Sequence, residues 1–153
     1  MNISMSPIGV VRSTRKLKQD DEWGREKASI ELDSSVFTEE ALYGLDAFSH
    51  VIVIFYMHEV NQERIEVGAR HPRNNLNWPK VGIFSQRGKN RPNQIGITIC
   101  PIEQRDGLIL KVKNLDAIDG TPVLDIKPYM AEFGPQGEIH QPVWATELMR
   151  GYF

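Results

Sequence analysis

"IGITICPIEQRDGLILKVKNL", residues 95–115, sets two short apolar runs on either side of a turn. Ile95–Ile102 and Leu108–Leu115 are each strand length, and "RDG" at Arg105–Gly107 reads as the hairpin turn that joins them. In the second run Lys111 and Lys113 alternate with Leu110 and Val112, which predicts one solvated face and one buried face. Runs of the same kind lie on both sides: "IGVVRS" (Ile8–Ser13), "ASIEL" (Ala28–Leu32), "HVIVIFYMH" (His50–His58), "VGIFSQ" (Val81–Gln86) and "PVLDIKPY" (Pro122–Tyr129). Closely spaced strands separated by turn residues predict a mainly β, mostly antiparallel, barrel-like sheet. Two short helices are expected. One lies in "SSVFTEEALYGL" with Ser34 or Ser35 as N-cap and Gly44 as its stop, the other in "PVWATELMRGYF". The stretches Lys16–Arg25 and Glu63–Lys80 read as long loops.

With 153 residues, 41% of them hydrophobic, the chain can bury one sizeable core, so residues 1–153 are expected to form a single domain. Its formal net charge of -2, from 18 basic and 20 acidic residues, provides no global field for a polyanion. Contact with nucleic acid would have to come from a local patch. Cys100 is the single cysteine, set in an apolar run where a buried thiol is expected. With no disulfide framework, and with "VIVIFYM" too short to span a bilayer, a soluble cytoplasmic protein without a membrane partner is expected.

Several chemistries lack their motif. There is no glycine-rich dinucleotide fingerprint, and "RGKN" has neither the glycine spacing nor the hydroxyl of a P-loop. His50, His58, His71 and His140 show no paired ligand spacing, so no metal is expected. No Gly-x-Ser-x-Gly elbow offers a nucleophile.

The stretch that stands out is "GIFSQRGKNRPNQIG" (residues 82–96), where Arg87, Lys89 and Arg91 fall within five positions. A loop of glycine and asparagine can turn N–H groups inward while arginine forks match carboxylate or phosphate oxygens. Pro92 stiffens Arg91-Pro92-Asn93, which lowers the entropy lost on binding an anion. In "DAIDGTPVLDIKPY" (residues 116–129), Asp119-Gly120 reads as a tight turn. The strand after it places Asp125, Lys127 and Tyr129 on one face. "FSHVIVIFYMHEV" (residues 48–60) is an apolar strand bracketed by His50 and His58.

These three stretches, in this order, resemble the TrmO-type (TsaA-like, YaeB-like) tRNA methyltransferase family, and "SPIGVVRS" and "QPVWATELMRGYF" extend the resemblance over nearly the whole chain. The resemblance implies a single-sheet antiparallel β-barrel with a few short helices, S-adenosylmethionine as methyl donor, tRNA as partner and a homodimer. In that family the acceptor is the exocyclic nitrogen of threonylcarbamoyladenosine beside the anticodon. Carried over by motif, the donor would be held by Gly24, Arg25 and Glu26, by His58 and Glu59, by Arg87 and Ile97, and by Asp119, Gly120 and Thr121. Lys89, Arg91, Asn93 and Lys127 are expected to hold the substrate. A base would help the poorly nucleophilic acceptor, and the candidates in order are Asp125, Tyr129 and His50. This chain departs from the family pattern in three places. It reads "WGREK" where longer members have Pro-Arg-Gln, Ser85-Gln86-Arg87 where Ala-Thr-Arg is common, and Gln94 where proline is common. Longer bacterial members also carry a further C-terminal domain. Two other readings stand beside this one: a non-catalytic barrel binding RNA or a small anion, and a methyltransferase with a small-molecule acceptor.

Overall fold

The computed structural model describes residues 1–153. Six strands close into an antiparallel barrel: β1 (Gly9–Ser13), β2 (Lys27–Leu32), β3 (His50–Tyr56), β6 (Ile95–Asp106), β7 (Ile109–Lys113) and β8 (Pro122–Pro128). Around the barrel they run β1-β2-β7-β6-β3-β8. Two further strands, β4 (Ala69–Arg70) and β5 (Val81–Gly82), form a separate ribbon.

Closure follows from the side-chain alternation. Val11, Ile30, Val51, Val53, Phe55, Cys100, Leu110, Val112 and Val123 all point inward and are buried. Each removes a side chain from water, worth about 1.5–3 kcal/mol for a fully buried branched or aromatic group. Lys111 and Lys113 face outward, as their alternation predicted. Strand β6 is long because it serves two neighbours. Its first half pairs with β3, and its second half pairs with β7 beyond a bulge between Ile102 and Gln104. A second bulge, between Ile54 and Phe55 on β3 against β8, bends the opposite wall. The hairpin from β6 to β7 turns through Gly107-Leu108, with Gly107 at φ 56°.

Two local expectations are corrected. "VGIFSQ" is strand only at Val81–Gly82; Ile83–Ser85 is a 3-10 turn, because the pairing partner, Ala69–Arg70, is itself only two residues long. In "SSVFTEEALYGL" the helical residues are 3-10 turns at Glu39–Leu42 and Leu45–Ala47, with Thr38, not Ser34 or Ser35, at the first N-cap position. Asp33 supplies the reason: its carboxylate accepts both the amide (2.9 Å) and the hydroxyl (2.7 Å) of Ser35, spending that serine on a preceding turn. The expected C-terminal helix is present at Val143–Leu148, the one α-helix of the chain. No helix is long and apolar enough to cross a membrane.

Candidate functional site

The strand order brings distant segments to one mouth of the barrel. The end of β1, the start of β2, the end of β3, the start of β6 and the start of β8 all lie at that mouth. Every residue expected to hold the donor sits on a segment entering or leaving it.

Contacts link these segments in pairs. Ile118–Thr121 forms a turn closed by the Thr121 amide on the Ile118 carbonyl (3.2 Å), with Gly120 at φ 83°, a conformation that costs a glycine little. The Asp119 carboxylate accepts the Ser13 amide at 3.0 Å and anchors the turn to β1. The His58 ring lies over Gly120, its Nε2 4.0 Å from where a Cβ would stand. Glu59 beside it is paired with Lys18 at 3.1 Å. Arg87 donates one guanidinium N–H to the Ile97 carbonyl at 2.8 Å, while the rest of its fork stays exposed. Thr121 is 2% exposed, so its side chain belongs to the barrel wall and only its main chain can reach a ligand. Glu26 lies 3.5 Å from Arg15, and Arg25 is exposed.

A group that the sequence reading missed stands among them. The Asp116 carboxylate accepts hydrogen bonds from the Thr98 hydroxyl, inside the barrel, and from the Tyr152 hydroxyl at 2.5 Å. Burial, reinforced by Asp116, pushes the Tyr152 phenol far above its ordinary range, so it remains a proton donor. The segment carrying Tyr152 lies on residues 22–24: the Trp23 amide bonds the Tyr152 carbonyl at 2.6 Å, and a Cβ on Gly24 would come within 2.3 Å of the Phe153 carbonyl carbon. Asp116 was visible in "LDAIDG" as an acid between apolar neighbours, but a partner 36 residues away leaves no local pattern. Cys100, fully buried nearby, has its thiol raised to about 12 by burial first and Asp116 second, so it is inert at neutral pH.

The outer face of the sheet carries the remaining candidates. Asp125, Ile54 and Ile97 are directly paired across β8, β3 and β6, and Lys127, Ile52 and Ile99 form the next row. Two strand spacings place Asp125 about 10 Å from Ile97. Its carboxylate holds Lys127 at 3.0 Å and also rims a recess of about 480 Å³ lined by Phe37, Tyr43 and Phe48. His50 begins β3, four residues or about 13 Å from the Ile54 row. Tyr129, whose amide bonds the His50 carbonyl at 3.0 Å, lies with it at the far end. Of the three base candidates, the fold therefore brings only Asp125 toward the donor residues. Lys89 and Asn93 are exposed on the loop, while Arg91 is partly buried, with one N–H on the Gln86 carbonyl at 2.9 Å.

No group of three or more histidine, cysteine, aspartate or glutamate side chains is placed to hold a metal ion. The exposed fork of Arg87, the carboxylates of Glu59 and Asp119, and the glycine turn under His58 suit a ligand that carries both an anionic and a cationic end.

Comparisons with known proteins identify the family and the fold. The family model described as the tRNA-methyltransferase O N-terminal domain matches residues 15–134. The chain is 36% identical over 139 residues to a tRNA (adenine(37)-N6)-methyltransferase of Mus musculus, covering 86% of this chain and 32% of that protein. It is 38% identical over 140 residues to a probable S-adenosyl-L-methionine-binding protein of Methanothermobacter thermautotrophicus, covering 90% of this chain and 97% of that one. Among solved structures it resembles TrmO from Pseudomonas aeruginosa with a TM-score of 0.75 at 29% identity, covering 94% of this chain and 62% of the other. The chain thus spans about a third of the length of its mammalian relatives.

Proposed function

Because the chain belongs to the family of the tRNA-methyltransferase O N-terminal domain, we propose that it methylates the exocyclic nitrogen of adenosine 37 in tRNA, using S-adenosylmethionine. The acceptor in this proposal is threonylcarbamoyladenosine, and the reaction takes place in the cytoplasm. The observation that carries the reading is the convergence of Gly24–Glu26, His58–Glu59, Arg87, Ile97 and Asp119–Thr121 at one barrel mouth.

The donor supplies an already activated methyl group on a sulfonium. The chain's own task is to align the acceptor with it and to exclude water. Arg87 and the Asp119–Thr121 turn would hold the donor's polar ends, and Ile97 would carry it from the mouth onto the outer sheet face. Asp125, on that face, would take the proton from the acceptor nitrogen, and Lys127, 3.0 Å from it, would hold the threonyl carboxylate of the substrate. Exposed Lys89 and Asn93, with Arg91, would meet the RNA.

A homodimer is part of the proposal. Ile99 is 50% exposed beside Ile52, in the row next to that of Ile97 and Asp125, an apolar surface where a second copy would meet the edge of the donor site. Tyr152 is not free to cover this face, because its hydroxyl turns to Asp116 of its own chain. Replacing Ile99 by lysine is expected to shift the sedimentation profile from dimer to monomer; an unchanged profile would remove this face from the interface.

Calorimetry and methyl transfer test the reaction. Arg87→Ala should weaken S-adenosylmethionine binding roughly tenfold, about 1.4 kcal/mol, through loss of a charge-assisted bond. Lys89→Ala should leave donor affinity unchanged and reduce the salt slope of tRNA binding by about one. Donor heat without methyl transfer to tRNA carrying the threonylcarbamoyl group would favour a small-molecule acceptor, and no donor heat at all would favour a plain RNA or anion binder.

A further inference from the structure

A buried guanidinium N–H without an acceptor carries a desolvation cost, which a ligand that supplies acceptors to the same fork would offset. Two arginines have a buried Nε with no hydrogen-bond acceptor, Arg15 and Arg70. Arg15 is otherwise fully engaged. Its terminal nitrogens donate to the carbonyls of Gln19, Asp21 and Glu22, it lies 3.5 Å from the Glu26 carboxylate, and it stacks 3.6 Å over the Trp23 ring. Arg70 has none of this. No carboxylate lies within 4.0 Å of its guanidinium, and none of its side-chain nitrogens makes a hydrogen bond within the chain.

The surroundings of Arg70 are built, not loose. Gln86 donates from its side-chain amide to the carbonyls of Arg70 (3.1 Å) and Val81 (3.0 Å), clamping the basic loop to the β4–β5 ribbon. Arg91 ties the loop from the other side through the Gln86 carbonyl at 2.9 Å. The loop passes so close over Arg70 that a Cβ on Gly88 would lie 3.1 Å from its Nη2. On the segment leading into β4, one Glu66 oxygen accepts the Gly68 amide at 2.7 Å, and Glu66 forms no ion pair with Arg70. Arg87, Lys89 and Arg91 lie on the same loop and add positive charge around the Arg70 fork. Arg87 and Arg91 each give one nitrogen to a carbonyl, whereas Arg70 gives none.

We propose that Arg70, with the loop at Gly88 above it, forms an oxyanion site that binds a carboxylate or phosphate group of the RNA substrate. The planar fork matches either group by two parallel hydrogen bonds, which an ammonium cannot reproduce. The site deepens the methyl-transfer reading only in naming RNA as the carrier of the anion, and its binding test needs no turnover.

The test compares the parent protein with Arg70→Lys and Arg70→Met. Equilibrium binding is measured to one tRNA with and without its threonylcarbamoyl group at several salt concentrations, alongside thermal midpoints and S-adenosylmethionine affinity. Arg70→Lys should bind RNA roughly tenfold more weakly or worse, with unchanged donor affinity and thermal midpoint. Arg70→Met should lose the same affinity without loss of stability, since it removes an unpartnered charge. A loss confined to the modified tRNA identifies the anion as the threonyl carboxylate; an equal loss on both, with a salt slope smaller by about one, identifies a backbone phosphate. Parent-like RNA binding by both variants overturns the proposal. So does a drop in thermal midpoint in both variants with binding per folded molecule intact, which would assign Arg70 to the fold. Failure of the parent to methylate any tRNA would remove the reaction while leaving the binding comparison decisive for the site.

Discussion

Gln94→Pro is expected to cost at least about 3 kcal/mol of stability and to abolish donor binding, although proline is common at this place in the family pattern. Two physical obstacles act independently. Gln94 stands at φ 51°, which a pyrrolidine ring cannot adopt, and its amide donates to the Arg91 carbonyl at 3.0 Å, a bond that proline cannot make. The side chain adds a third loss. At 3% exposure it is a buried hub: its oxygen accepts from Tyr56 (3.1 Å) and Gln62 (2.7 Å), and its nitrogen donates to the Met57 carbonyl (3.2 Å). These bonds hold the exit of β3, and so His58 and Glu59, against the basic loop. A urea melt reads the stability loss and calorimetry the donor loss. Gln94→Gly separates the causes, because it keeps the backbone conformation and forfeits only the side-chain bonds; its cost should be smaller, about 1–3 kcal/mol. A Gln94→Pro protein with parent stability would show that the loop has a second, equally good path.

Gly96→Ala should destabilise the barrel by about 3 kcal/mol, the upper part of the range for overpacking a filled core. Gly96 is paired directly with Phe55, and a Cβ there would fall 2.3 Å from two ring carbons. Phe55 is 3% exposed and walled by the core cluster, so its ring cannot swing clear. Phe55→Leu in the same chain should restore part of the loss, and a double-mutant cycle would record a coupling well above the scatter expected for independent sites. Additive effects would place the strain elsewhere.

Alternation, turn residues and charge clustering act over two to five positions, and whatever rests on them could be read along the chain. Lys111 and Lys113 face water because side chains alternate on a strand, the Asp119-Gly120 turn forms because glycine accepts a positive φ there, and the C-terminal helix forms where its run lies. Short paired segments were harder: Val81–Gln86 has strand composition, yet only two residues find a partner. The site itself depended on closure. Only the order β1-β2-β7-β6-β3-β8 carries Gly24, His58, Arg87 and Asp119 to one mouth and leaves His50 and Tyr129 at the other. The bond from Tyr152 to Asp116, the hub at Gln94 and the unpartnered fork of Arg70 have no sequence signature, because each is decided by which groups the packed chain brings within hydrogen-bond reach and which it leaves with none.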